Sequence, residues 1–186
     1  MNTPTLYNDC AYTLISAEEI SAMVDRLAAE IQAVYQNSQH RLIMVVILKG
    51  SVPFAADLMK RLSIPLELEF MKVSSYGAGA KSSGEIKISL DLNRDDLQDC
   101  DLLVVEDIVD SGRTLSRLTQ LLKHRNAHSV RTCTLLDKPS RREVDFVPDF
   151  CGTAIPDEFV IGYGLDYAEK YRNLPFVGVL KREIYE

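Results

Sequence analysis

The sequence predicts an α/β fold, a mostly parallel central sheet flanked by helices, on three observations. Runs such as "RLIMVVIL" and "DLLVVED" are continuously apolar and rich in β-branched residues, as expected of strands covered on both faces. Amphipathic helical stretches alternate with these strands along the chain, the order of a doubly wound sheet. Several strand runs also stop abruptly in charge or glycine, at Lys49-Gly50, Glu106-Asp107, Asp137-Lys138 and Asp166. Open parallel sheets bind ligands at their carboxyl ends, so four such stops predict one polar edge.

Each element follows from its own pattern. In "SAEEISAMVDRLAAEIQAVYQ", Ser16 and Glu19 have the spacing of a capping box. Ile20, Met23, Val24, Leu27, Ile31 and Val34 then recur at helical steps. "RLIMVVIL" is the next strand, and "SVPFAADLMKRL" the crossover helix. "PLELEFMKVSSYG" and "EIKISLDL" both alternate, which predicts a hairpin over residues 66–91. Its tip, Ser74 to Gly84, carries three glycines and four serines in eleven residues and reads as a long flexible loop. "DLLVVED" gives a buried strand, "RTLSRLTQLLKHR" a helix and "SVRTCTLLDK" a strand. A polar stretch precedes "EFVIGYGLDY", and "FVGVLK" follows near the chain end. No linker divides the 186 residues, so one domain is expected over 1–186, with the hairpin and C-terminal third as smaller additions.

Composition narrows the function. The longest apolar run, Leu42 to Leu48, has seven residues, far short of the roughly 20 that cross a bilayer. No secretory pattern opens the chain, and Cys10, Cys100, Cys133 and Cys151 are scattered without a C-x-x-C pair; four reduced thiols and a cytoplasmic location are expected. His124 and His128 stand four apart on an expected helix face, without a metal-ligand pattern. A net charge of −6 opposes binding to nucleic acid or an anionic membrane, though not to a small phosphorylated ligand.

The chemistry concentrates in "VVEDIVDSGRTL". Small residues between a strand and a helix allow a tight turn whose N–H groups converge at the helix N-terminus, a place for phosphate. A plain capped helix start is the alternative reading of Asp110 to Thr114, and the pattern of a triphosphate-binding loop is missing. Glu106 and Asp107 would repel phosphate, but they suit sugar hydroxyls or Mg²⁺, a hard cation with a preference for carboxylate oxygens. Asp110 is then free to act as a general base. Phosphate, diol and base together describe a ribose 5-phosphate ligand. Neighbouring strand residues face opposite ways, so both acids reach one pocket only if the strand ends by Asp107.

This segment resembles the signature of the type I phosphoribosyltransferases, which bind 5-phosphoribosyl-1-pyrophosphate (PRPP). "LKG" at 48–50, "SSYG" and "SSG" within 74–84, "LLDKPSRR" at 135–142 and "PDEFVIGYGLDYAEKYRNLP" at 156–175 are similar to the hypoxanthine-guanine phosphoribosyltransferases of bacterial type. The resemblance implies the family's fold, with a flexible hairpin lid over 74–84, a hood built from the chain ends and a purine-binding part over 138–186. It implies that Lys49 and Gly50 form the pyrophosphate loop, with a cis Leu48–Lys49 bond, and that Arg172 grips pyrophosphate. Glu106 and Asp107 would hold the ribose hydroxyls and Mg²⁺, with Asp166 positioning a second Mg²⁺ and lying near the purine. Asp110, Ser111, Gly112, Arg113 and Thr114 would hold the 5-phosphate. Lys138 would reach the purine 6-oxo group, Phe159 would stack on its ring and the Val160 backbone would read its edge. Ser75 and Tyr76 would be lid contacts.

The implied activity is purine salvage: Mg²⁺-dependent transfer of ribose 5-phosphate from PRPP to hypoxanthine or guanine by a homodimer or homotetramer. Two alternatives stay open, transfer to another base (xanthine, adenine or a pyrimidine) and a PRPP-sensing nucleic-acid-binding regulator.

Overall fold

A computed structural model describes residues 6–75 and 86–186. Its strands are β1 (Cys10–Ile15), β2 (Arg41–Ile47), β3 (Leu66–Ser75), β4 (Ile86–Leu90), β5 (Cys100–Val109), β6 (Ser129–Asp137), β7 (Phe150–Ala154), β8 (Val160–Ile161) and β9 (Val177–Leu180). The helices are α1 (Ala17–Tyr35), α2 (Val52–Met59), α3 (Arg113–His124) and the single turn α4 (Arg182–Tyr185). The main sheet has the order β4-β3-β2-β5-β6-β7, parallel from β3 to β7, with β4 antiparallel at its edge. A second, antiparallel sheet of order β1-β9-β8 joins the two chain ends, as the hood expectation required.

The unbroken apolar pattern of β2 has a direct cause. Leu42, Met44 and Val46 face the core under α1 and α2, while Ile43, Val45 and Ile47 face the core under α3. The hood packs on the first of these cores through Ile15, Val160, Val177 and Val179. Helix α1 starts as its capping box predicts, with the Glu19 N–H donating to Ser16 Oγ at 3.2 Å and the Ser16 N–H to Glu19 Oε2 at 2.7 Å. Its stripe Ile20, Val24, Leu27 and Ile31 is buried, each side chain contributing about 1.5–3 kcal/mol.

Four expectations change. Strand β1 lies where the sequence predicts no element and β7 in the stretch expected to be polar, and both depend on distant partners, β1 on β9 and β7 on β6. "EFVIGYGLDY" supplies only two strand residues before winding into turns. His128 lies beyond α3 and stacks on His40 with ring centroids 3.4 Å apart, so it shares no helix face with His124. Strand β5 runs through Glu106 and Asp107 to Val109 rather than stopping at the acids. All four cysteines are free thiols, and among the described residues no helix is long and apolar enough to cross a membrane.

Candidate active site

A cleft of about 390 Å³ opens at the carboxyl ends of β2 and β5. Its lining includes Lys49, Gly50, Ser74, Glu106, Asp107, Ile108, Asp110, Ser111, Gly112, Thr114, Asp166 and Arg172. Segments more than 120 residues apart in sequence therefore meet at the edge that the charged strand stops predicted.

Glu106 and Asp107 share this cleft although β5 continues past them. The pairing of β2 with β5 ends at Val46 and Val105, whereas β6 stays alongside β5 to Val109. Beyond Ile47 the chain turns away through a cis Leu48–Lys49 peptide, leaving one side of β5 open at the acids. The turn at 50–51 then receives both carboxylates. Ser51 Oγ donates to Glu106 Oε1 at 3.1 Å, and Asp107 lies against Gly50, where a Cβ would collide with its carboxylate. The Ile108 N–H donates to Asp107 Oδ1 at 2.8 Å. The expected early strand end is thus replaced by a lost neighbour, which makes the same room.

Burial, then the charge of Asp107, pushes the Glu106 carboxyl well above its ordinary 4.5. Burial also raises that of Asp107, against the opposing pull of Glu106, backbone donors and Arg172. Among the described residues neither acid forms an ion pair with Lys or Arg, and no group of three His, Cys, Asp or Glu makes a complete metal cage. Two desolvated carboxylates suit a hard divalent cation that takes its remaining ligands from water and a substrate phosphate.

On the opposite wall, Arg172 donates to the Gly164 carbonyl at 2.7 Å and pairs with Asp166 at 2.8 Å and Glu169 at 3.3 Å. Its Nε is buried without a partner. Lys49 Nζ also meets Glu169, at 3.1 Å. Hydrogen bonds from Lys49 and then Arg172 hold the Glu169 carboxyl below its ordinary range. Gly164, at φ +100°, packs so tightly on the Gly50 carbonyl that only glycine fits.

The third wall is the start of α3. Gly112, at φ +79°, is its cap residue and brings no capping side chain; Ser111 Oγ accepts from the Arg113 N–H at 3.4 Å, and the helix start lines the cleft through Gly112, Thr114 and Leu115. The Arg113 guanidinium turns to Glu143, at 2.5 Å, and does not line the cleft, which leaves its backbone as the part that could meet a phosphate. The Asp110 carboxylate meets Arg141 Nε at 3.0 Å, and Arg141 also reaches Asp157 at 3.5 Å.

Lys138, Phe159 and Val160 do not line the cleft, although Lys138 follows β6 beside the end of β5. Lys138 is buried and donates to the Glu158 carbonyl at 2.7 Å, while its own N–H bonds to the Val109 carbonyl at 2.9 Å. Phe159 stacks on Tyr185 with centroids 4.7 Å apart and meets Tyr167 edge-on at 5.5 Å. Ser75 ends β3. Tyr76 and most of the expected lid lie outside the described residues.

The fold agrees with comparisons to known proteins. A family model described as the phosphoribosyl transferase domain matches residues 15–168. The chain belongs to the phosphoribosyltransferase family. It is 50% identical to the hypoxanthine-guanine phosphoribosyltransferase of Bacillus subtilis over 96% of this chain and 98% of that protein. It is also 50% identical over 97% of its length to the bifunctional protein TilS/HprT of Listeria monocytogenes, but spans only 28% of that longer protein. The crystal structure of a hypoxanthine phosphoribosyltransferase from Staphylococcus aureus superposes with a TM-score of 0.92, 43% identity and complete coverage of both chains.

For a phosphoribosyltransferase, the residues that sequence reasoning missed are Ser51, Ile108, Arg141 and Glu169. Ile108 had a signal, an apolar residue between acids in "EDIVD" at the strand end. Glu169 had none, because nothing in its spacing announces Lys49, 120 positions earlier.

Proposed function

We propose that this phosphoribosyltransferase moves ribose 5-phosphate from PRPP to N9 of hypoxanthine or guanine, giving the nucleotide and pyrophosphate. The observation that carries the reading is the meeting of three walls in one cleft: a helix start with glycine at its cap, an acid pair, and the cations Lys49 and Arg172. The α3 start, with Ser111, Gly112 and Thr114, takes the 5-phosphate on its backbone N–H groups and helix dipole. Glu106 and Asp107 would hold the ribose hydroxyls and Mg²⁺, and Asp166, in the lining of the same cleft, would position a second ion. Bound Mg²⁺ supplies charge neutralisation for the departing pyrophosphate.

Lys49 and Arg172 bind the pyrophosphate as the C1′–O bond breaks, and preorganised charge of this type is a leading source of rate. N9 of the purine forms the new bond at C1′, and Asp110 accepts the proton released from N7. The short Lys138–Glu158 tether supports a 6-oxopurine in particular, since it sets a buried ammonium beside the Phe159 segment. Phe159 and the Val160 backbone then complete the purine contacts. Ser75 and Tyr76 belong to the lid that excludes water.

The test is a panel of bases incubated with PRPP and Mg²⁺, with nucleotide formation followed by chromatography. Hypoxanthine and guanine should give product, while adenine and pyrimidines should not. Product from pyrimidines alone, or from none of the bases, would overturn the reading.

A further inference from the structure

The Lys49–Arg172 wall already contains an anion. Glu169 bonds to Lys49 Nζ at 3.1 Å and to Arg172 at 3.3 Å, so one carboxylate bridges two cations from distant segments of the chain. Its backbone explains how it gets there. Ala168, Glu169 and Tyr171 have φ of 50°, 64° and 76°, a left-handed run without glycine of the type that persists only where surroundings enforce it. The Glu169 N–H is tied to Asp166 Oδ2 at 2.9 Å, and the Tyr171 hydroxyl to Asp9 at 2.7 Å. The turn is therefore anchored from both sides while its carboxylate projects between the cations.

Stability does not account for this arrangement. The Glu169 side chain is 64% exposed and that of Lys49 is 53% exposed, and ion pairs this open to water contribute little to folding. Arg172 also keeps a buried, unpartnered Nε, so the carboxylate leaves the guanidinium incompletely satisfied. A larger anion with more oxygens would complete it.

We propose that Glu169 is a stand-in for pyrophosphate, holding the cation pair in the empty enzyme and competing with the leaving group for it. This rests on the reading of Lys49 and Arg172 as the pyrophosphate grip. Binding of PRPP displaces the carboxylate, and its return after reaction helps expel pyrophosphate. Because only the fraction of molecules with Glu169 displaced can bind, the competition lowers apparent pyrophosphate affinity without touching the purine site.

Calorimetric titration of pyrophosphate with Mg²⁺ into the wild type, Glu169→Gln and Lys49→Met tests the proposal. Glu169→Gln should bind about three- to fivefold more tightly, the scale of one exposed ion pair. Product inhibition by pyrophosphate against PRPP should strengthen by the same factor. Glu169→Asn, which suits a left-handed backbone, should repeat the tightening. Unchanged or weaker binding in both Glu169 variants, with Lys49→Met still weakening it, would overturn the proposal alone. Wild-type affinity in Lys49→Met would remove the subsite itself, and the reading beneath the proposal with it.

Discussion

The two ends of the main sheet both carry charged groups and treat them in opposite ways. At the starts of the strands, Arg94 meets Glu67 at 2.6 Å and Asp96 at 2.9 Å, and Arg41 meets the same Asp96 at 2.6 Å. Asp101, almost fully buried there, accepts from both Ser38 and Ser129 and faces His128. Every acid named at this end has its donor. At the strand ends, Glu106 and Asp107 face each other without a cation, the α3 cap residue Gly112 has no side chain to offer and Arg172 keeps an orphaned N–H. Charged groups left without a counter-charge at one end of a fold are where a ligand's groups can bind, whereas paired ones at the other end, where Tyr35 Oη alone among the described residues is buried without a partner, mark ordinary structure.

The contrast extends to pH, with opposite signs. Hydrogen bonds from Arg94 and then Arg41 hold the Asp96 carboxyl far below its ordinary 3.8. A depressed carboxylate contributes stability that is present above the ordinary value and lost as pH falls through the folded one. Glu106 and Asp107 are raised, so their contribution is present below the ordinary carboxylate range and lost as pH climbs through their folded values. In the empty protein the strand-start end is thus acid-sensitive and the cleft end is sensitive to rising pH.

Substitutions can break or sharpen this division. The largest effect belongs to Asp110→Asn, which should lose about 10²–10⁴-fold in kcat while PRPP binding, measured by calorimetry, stays near that of the wild type. Unchanged turnover would remove Asp110 from the role of base. Next comes Gly50→Ala, whose Cβ collides with the Asp107 carboxylate. It should cost about 1–3 kcal/mol in denaturant unfolding and displace the acid pair, with turnover falling alongside. Ser16→Ala, far from the cleft, removes only the α1 cap; about 1 kcal/mol of stability should go while kcat holds. Asp96→Asn should be the mildest, a small drop in melting temperature at neutral pH that fades in acid, with kinetics unaltered.

The sequence carried the strand-end half of this picture better than the strand-start half. "VVEDIVDSGRT" exposes its chemistry because acids and small residues interrupt an apolar run, a local signal that survives without coordinates. The α1 cap and the β3–β4 hairpin were legible for the same reason, since their partners lie close in sequence. Strand β1 was not, because "CAYTLI" becomes a strand only through pairing Cys10 with Leu180, at the far end of the chain. Nor were the bridges Glu169–Lys49 and Arg141–Asp110, which depend on how loops fold back over the sheet edge. The requirement that β5 stop by Asp107 failed because alternation was weighed along one strand, while the room for both acids came from its neighbour ending first.

The most direct test of the division is the melting temperature of the Mg²⁺-free protein from pH 5 to 8, wild type beside Glu106→Gln, with turnover measured on both. The unmatched acid pair predicts that Glu106→Gln melts higher than the wild type, by a margin that widens as pH rises, and that it loses turnover. A variant that melts lower at pH 8, or that keeps wild-type turnover, would contradict the claim that this end of the sheet gives up stability for its ligand.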